Sequence, residues 1–205
     1  MSTDVFPTKS NLLAIKRSLS LAKTGFELLD KKRNVMLREM MSLMDDVTRV
    51  QDQINITFSE AYASLQMANF TVGQSEILSI ANYNIFPDDI TIQFKSVMGV
   101  EIPVVKYDET DPELYYGFAS TNSDLDDAYI KFMKVKRLTA MLAAIENSVY
   151  RLAFAIKQAQ KRSNALRNIV IPQLERTVYR ITGYLEEKER ESFTVLKVIK
   201  GGNDF

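Results

Sequence analysis

The chain has 205 residues, with 26 basic and 26 acidic side chains, so a bulk electrostatic attraction to nucleic acid or to an anionic membrane is not expected. It contains no cysteine and no histidine, which excludes disulfides, thiolate metal sites, and the commonest general base and zinc ligand. No apolar run approaches the ~20 residues of a membrane-spanning helix, and no signal peptide is visible. The absence of cysteine fits the cytosol.

The first predicted element is a long helix over residues 8–72, with Thr8 or Ser10 as a suitable N-cap and Gly73 beyond its end. Its apolar residues recur at alternating steps of three and four, which is typical of a coiled-coil seam. Only Arg33 interrupts this spacing, and it either fixes the register or contacts a partner. The seam residues are Leu12, Ile15, Leu19, Ala22, Phe26, Leu29, Met36, Met40, Leu43, Val47, Val50 and Ile54, followed after a small shift of register by Phe58, Ala61, Leu65 and Ala68.

A small head is predicted over residues 73–121, where prolines and glycines interrupt the helical pattern. Residues 90–97 and 100–107 alternate apolar and polar side chains, so they form the two strands of a β-hairpin, with Met98 and Gly99 in a two-residue turn. Pro103 donates no backbone hydrogen bond, so its strand should pair on one side only. A lone hairpin is marginally stable in water, and we expect this one to lean on the helix ends or on a partner.

A second long helix is predicted over residues 122–200, starting at a capping Ser123 that acidic residues follow. The four-four spacing from Val170 through Leu174 to Val178 is interpreted as a stutter that locally unwinds the supercoil. The last turns carry Phe193, Leu196 and Ile199, and we expect this end to extend beyond the first helix. The seam residues are Leu138, Leu142, Ile145, Val149, Leu152, Ile156, Ala159, Ser163, Leu166 and Val170, then Leu174, Val178, Ile181 and Leu185.

Together these elements predict a mainly α fold, a long antiparallel two-helix coiled coil with a small central insert that contains a β-hairpin. The pairing must be antiparallel because the short insert returns the chain along the first helix. We therefore expect residues 1–205 to form a single elongated domain.

No pattern in the chain indicates catalysis or cofactor binding. Glycine-rich phosphate loops are missing, and neighbouring carboxylates on a helix point about 100° apart, so they do not converge on one site. We therefore predict no catalytic residue, no cofactor and no metal. Basic residues on the second helix, Lys161, Arg162 and Arg167 among them, form either a solvated face or a contact with an acidic protein surface, and the residues alone leave both open.

Three segments resemble the D subunit of the V-type and A-type rotary ATPases. They are Pro7-Thr-Lys-Ser-Asn-Leu-Leu-Ala-Ile-Lys16, Lys161-Arg-Ser-Asn-Ala-Leu-Arg-Asn-Ile-Val-Ile-Pro172, and Leu185-Glu-Glu-Lys-Glu-Arg-Glu-Ser-Phe-Thr-Val-Leu-Lys197. The most specific match is Asn164-Ala-Leu together with Ile171-Pro172. With the two-helix layout and the central insert, the resemblance covers most of the chain.

The resemblance implies a non-catalytic central rotor shaft that carries torque between ATP hydrolysis or synthesis and ion translocation. Its implied partners are the hexamer of catalytic A and non-catalytic B subunits around the terminal end, and, at the other end, the F subunit of the central stalk and the funnel-like subunit that caps the membrane ring. It implies a cytoplasmic location, peripheral to the membrane, with no nucleic acid and no insertion into the bilayer. The predicted partner interface comprises Lys161, Arg162, Asn164, Arg167 and Pro172 on the second helix, and Ile92, Phe94 and Val104 on the hairpin.

A second interpretation comes from another class of protein, the prefoldin-like chaperones. They also pair two long helices around a small β element and assemble through their hairpins. Oligomerisation through the strands would favour this alternative, whereas a rotor shaft is present as one copy in its complex.

Overall fold

The computed structural model describes residues 6–83, 90–107, 116–117 and 121–201. Its elements are α1 (Lys9–Thr71), α2 (Gln74–Tyr83), β1 (Ile90–Val97), β2 (Val100–Tyr107), α3 (Ser123–Ala165), a π-turn (Leu166–Val170) and α4 (Ile171–Gly201). The predicted fold class, long helices with an inserted antiparallel hairpin, is confirmed. Parts of the predicted head, residues 84–89, 108–115 and 118–120, lie outside the described residues. No helix in the described ranges is long and apolar enough to cross a membrane.

The chain divides into two compact units, and α1 contributes to both. The terminal unit consists of Met1–Asn34 and Lys157–Phe205, and the head unit is Val35–Ile156.

In the terminal unit, α1 pairs with the end of α3 and with α4 in antiparallel order. Lys9 is ion-paired to Glu189 at 2.7 Å and Lys23 to Glu175 at 2.7 Å. Moving from the first ion pair to the second, the residue number rises along α1 and falls along α4. The two helices therefore run antiparallel within this unit, as predicted. Its predicted seam residues face inward: Ile181 is 1% exposed, and Ala159 and Ser163 are buried.

The π-turn explains how this seam stays continuous. From Ser163 to Val178 the seam spacing is one residue longer than two heptads. The Ile171 N–H donates to the Leu166 carbonyl, five residues back, and such a turn takes up one extra residue relative to an α-helix. The irregular spacing interpreted as a stutter thus coincides with a π-turn that takes up the extra residue locally, and Leu166, Val170, Leu174 and Val178 all stay half-buried.

The head unit repeats the antiparallel pairing between α1 and α3. The ring of Tyr62 meets that of Phe132 edge-on at 5.6 Å, and the Lys131 ammonium donates to the Ser64 hydroxyl at 2.6 Å. Met36 and Leu152, both predicted seam residues, are fully buried.

Two helix boundaries differ from the prediction. Gly73 adopts φ +96° and ends the first helix as expected, but a second helix, α2, begins at the next residue. Its Ile77 and Ile80 pack against a small core of Ala68, Tyr116 and Leu125. At the start of α3, Asn122 takes the N-cap position instead of Ser123, because its carbonyl accepts the Leu125 and Asp126 N–H groups and the helix already includes Ser123.

The hairpin has the predicted strands and turn. All eight pairs are in regular antiparallel register, from Ile90 with Tyr107 to Val97 with Val100. Met98 and Gly99 have φ of 51° and 78°, and positive φ at both central residues is required by a type I′ turn.

Candidate partner-binding surfaces

The outer edge of β2 is held against the middle of α3, inside the head unit. The Ser148 hydroxyl lies 3.1 Å from the Pro103 carbonyl, and the Arg151 Nη1 donates to the Glu101 carbonyl at 3.0 Å. The Tyr107 hydroxyl donates to the Arg137 carbonyl, and burial raises the pKa of Tyr107. Arg137, Ser148 and Arg151 all lie in the interior of α3, so the first of the two predicted supports, the helix ends, is wrong. Sequence reasoning missed Ser148 and Arg151, since their partners are backbone atoms 45 and 50 residues away.

The three hairpin residues predicted to bind a partner are accessible. Ile92 is 58% exposed, Phe94 60% and Val104 40%. The Arg151 guanidinium lies over the Phe94 ring, 5.7 Å from its centroid, where the ring face attracts a cation. Phe94 thus combines an exposed apolar ring with a nearby positive charge.

The five predicted residues of the second helix belong to the terminal unit. Lys161, Arg162, Asn164 and Arg167 are exposed, whereas Pro172 is half-buried. Helical residues are about 100° apart, so Arg162 lies nearly opposite Asn164 across the helix axis, and the four do not share one face. Arg162 and Asn164 flank the seam residue Ser163 on its two sides, whereas Lys161 lies on the face away from the seam. The predicted residues thus lie in both units, five on the second helix without a common face and three on the hairpin.

Apolar side chains also cover the last turns of α4. The ion pair to Glu189 is made by Lys9, where α1 begins, so the described part of α1 does not reach the residues beyond. Every residue from 186 to 200 is exposed. The apolar ones, each at least 57% exposed, are Phe193, Val195, Leu196, Val198 and Ile199. Among the described residues, the C-terminal helix therefore extends beyond α1, as expected, and its apolar end has no partner helix.

A groove of about 550 Å³ opens in the head unit between α2 and α3. Its walls are almost wholly apolar, with Ile77 and Leu78 from α2 opposite Phe132 and Met133 from α3. At one side, the buried Tyr116 hydroxyl donates to the Asp126 carboxylate at 2.6 Å. Burial first, and the neighbouring carboxylate second, raise the pKa of Tyr116 well above its ordinary value. The groove escaped prediction because α2 was not foreseen, although Ile77 and Ile80 are spaced as on one helix face.

Acidic side chains do not gather into a metal site in the described part of the chain, where no group of three or more potential ligands is found. Asp46, one of the adjacent carboxylates in the sequence, is ion-paired to Arg49 on the same helix.

Nearly the whole chain is similar to the D subunits of ATP synthases. The sequence profile of the family described as the D subunit of ATP synthase matches residues 11–201. The D subunit of the V-type ATP synthase from Thermotoga neapolitana is 43% identical over 196 residues, which cover 96% of this chain and 97% of the relative. The D subunit of the A-type ATP synthase from Thermococcus kodakarensis is 34% identical over 96% of this chain and 94% of its own length. The D subunit of the A-type ATP synthase from Pyrococcus horikoshii is 35% identical over 95% of this chain and 92% of its own length. The antiparallel helices, the inserted hairpin and these matches together show that the chain belongs to the family of ATP synthase D subunits.

Proposed function

We propose that this chain is the non-catalytic central rotor shaft of a V-type or A-type ATP synthase. It transmits torque between a hexamer of A and B subunits, where ATP is hydrolysed or made, and a membrane ring that translocates ions. The observation that carries this proposal is membership of the D-subunit family along almost the entire chain, joined to a seam whose predicted positions up to Leu185 are all buried or half-buried. Within each unit, a packed seam stiffens the helix pair, as a shaft requires.

The terminal unit is the part that we assign to the hexamer. A shaft that turns inside a three-fold collar needs contacts that can be exchanged from one catalytic site to the next. Exposed charged side chains such as Lys161, Arg162 and Arg167 suit such contacts, because exposed ion pairs are individually weak. An asymmetric shaft makes the three catalytic sites inequivalent, because each contacts a different surface of it.

The apolar segment of α4 supplies the second kind of contact. Phe193, Leu196 and Ile199 are between 60% and 71% exposed. We assign them to an apolar bearing within the hexamer, where burial would hold the end of the shaft on its axis.

The head unit is assigned to the F subunit and to the funnel-like subunit. Its exposed hairpin side chains, Ile92, Phe94 and Val104, are the proposed stalk contact. This assignment puts the chain on the cytoplasmic side, peripheral to the membrane.

The test compares purified complexes that carry either the natural chain or one with Phe193, Leu196 and Ile199 all changed to serine. We expect the variant complex to keep its subunit composition and to hydrolyse ATP, while ion pumping per ATP falls several-fold. A matched control changes the exposed Glu187, Lys188 and Glu191 to serine in the same helix, and should pump normally.

Subunit composition is read by native mass spectrometry on the same samples. One copy of this chain with a hexamer of A and B subunits supports the proposal. If the natural chain co-purifies with no ATPase, or if the serine variant pumps as well as the control, the corresponding part of the proposal is wrong.

A further inference from the structure

We propose that the free edge of β1 binds an extended, acidic segment of a companion protein of the complex, which adds to the hairpin as a third strand. The inference rests on the proposed function, because it requires such a companion in the assembled complex. It deepens that function by naming the kind of contact that the hairpin makes.

The direction in which each backbone group points follows from the register. Phe94 is paired with Pro103, which has no N–H, so this pair cannot exchange the two hydrogen bonds of a bonded pair. Bonded and non-bonded pairs alternate along an antiparallel ladder. The backbone groups of Ile92 and Phe94 therefore point away from β2, whereas those of Gln93 and Lys95 point towards it.

The outward backbone groups of the two strands differ in their hydrogen bonding. On β2, the outward carbonyl of Glu101 accepts from Arg151, and the outward carbonyl of Pro103 lies 3.1 Å from the Ser148 hydroxyl, which also lies 2.8 Å from the Ala144 carbonyl of its own helix. On β1, no third strand pairs with the outward groups within the part of the chain that the structure describes, where the sheet has two strands. Among the described residues, the β2 edge is thus covered by α3, whereas the outward groups of β1 have no partner strand.

β1 also lacks the features that usually block strand addition. Edge strands are protected by proline, by bulges, by short length or by several charges. β1 is eight residues long, has a regular register and carries no proline, and Lys95 is its only charged residue. Ile92 and Phe94 are more than half exposed beside the open edge. Apolar side chains at alternate positions of an added strand would pack against them.

Charge decides in favour of a companion protein over a second copy of this chain. Lys95 gives β1 a positive charge, β1 contains no carboxylate, and the Arg151 guanidinium, bonded to the Glu101 carbonyl on the β2 edge, adds a second positive charge over the Phe94 ring. Pairing β1 with β1 of a second copy would supply no counter-charge for Lys95, because β1 contains no acidic residue, whereas opposite charges across a sheet are stabilising. A segment with alternating apolar and acidic residues would hydrogen-bond to the outward backbone groups of β1, and its carboxylates would neutralise the positive charge.

The test is hydrogen–deuterium exchange, resolved to single amides, on the full chain alone and in the purified ATPase complex. In the isolated chain, the outward amides of Ile92 and Phe94 should exchange fast, and the inward amides of Gln93 and Lys95 slowly. In the complex, we expect exchange at Ile92 and Phe94 to slow by about tenfold or more as each amide gains a hydrogen bond.

Two substitutions separate backbone pairing from side-chain packing. Ile92→Pro removes an outward N–H and leaves the ladder hydrogen bonds intact, as Pro103 does on β2. Ile92→Ala shortens the side chain and keeps the amide. Protection at Phe94 in the complex should be lost with Ile92→Pro and largely kept with Ile92→Ala, while Gln93 and Lys95 remain slow in both variants.

Each other outcome overturns the inference. Outward amides that exchange equally fast in an assembled, active complex show that no strand is added. Outward amides already protected in the monomeric chain show that the chain covers its own edge. Protection that appears with self-association of the isolated chain identifies a second copy as the occupant. Failure of the chain to assemble with any ATPase refutes instead the proposed function, and native mass spectrometry of the same samples distinguishes that case.

Discussion

A polar layer interrupts the apolar seam of the terminal unit at Arg33, and its energetic role can be measured. The Arg33 Nη1 donates to the Gln160 side-chain oxygen at 2.6 Å, across the helix pair. Its Nη2 is ion-paired to Asp30 at 2.7 Å, and the Arg33 side chain is 24% exposed. Of the two alternatives left by the sequence, a register device or a partner contact, this geometry favours the first, because the guanidinium is occupied within the chain.

The expected coupling between Arg33 and Gln160 follows from the geometry. Hydrogen bonds to charged groups contribute about 1.5–3 kcal/mol, and partial exposure moves this one to the low end of that range. In a double-mutant cycle with Arg33→Ala and Gln160→Ala, we therefore expect a coupling free energy of about 1.5 kcal/mol. The measurement is urea unfolding followed by circular dichroism. A cycle on Lys23 and Glu175 is the matched control, since that pair also joins the two helices but both side chains are about half exposed. It should give under about 0.5 kcal/mol.

Burial removes water from the Arg33 guanidinium, and the hydrogen bonds within the chain replace only part of what that water provided. Its Nε is buried and has no hydrogen-bond partner among the described residues. Arg33→Met, which fills the seam with an apolar side chain, should therefore leave the free energy of unfolding unchanged within about 1 kcal/mol or raise it. The interpretation would be refuted if Arg33→Met lost more than about 2 kcal/mol, or if the Arg33–Gln160 coupling did not exceed that of the control pair.

Three further predictions concern burial, pH and surface charge. Leu152→Ala should lower the free energy of unfolding by about 2–5 kcal/mol, because a fully buried seam side chain leaves a cavity. Tyr150→Ala, two residues away and 73% exposed, should change it by less than about 0.5 kcal/mol in the same urea titration. The raised pKa of Tyr116 means that its contribution to stability is present below about pH 10 and is lost as the pH rises further. The stability difference between the natural chain and Tyr116→Phe should therefore shrink above pH 10, and a constant difference would contradict the assignment. Lys9→Ala should leave the melting temperature unchanged, because Lys9 and Glu189 are both mostly exposed and water screens their ion pair.

The seam itself could be predicted from the sequence. Positions such as Leu12, Met36, Ala61 and Ile181 were assigned from spacing alone, and each is buried or half-buried. The reason is that a coiled coil is specified by local periodicity, since every seam residue meets the partner helix in a repeating environment. The hairpin was predictable for a similar reason, because alternation selects strands and Gly99 permits the positive φ of a tight turn.

Only the tertiary structure decided how irregular spacing is resolved. One extra residue between Ser163 and Val178 can unwind a supercoil or be absorbed by a π-turn. Both solutions keep the seam inward, so the choice depends on packing against α1 and not on the residues of α3 and α4 alone. The role of Arg33 likewise could not be predicted from the sequence, since it depends on whether Gln160 lies opposite it on the other helix.

The docking of the hairpin was also beyond the sequence. Ser148 and Arg151 bind backbone carbonyls, and backbone atoms carry no side-chain signature that a pattern could detect. Local periodicity thus determined the helices, the strands and their inward faces. Contacts between residues distant in the chain decided which edge of the hairpin is capped and which is left open, because they depend on how those elements pack together in three dimensions.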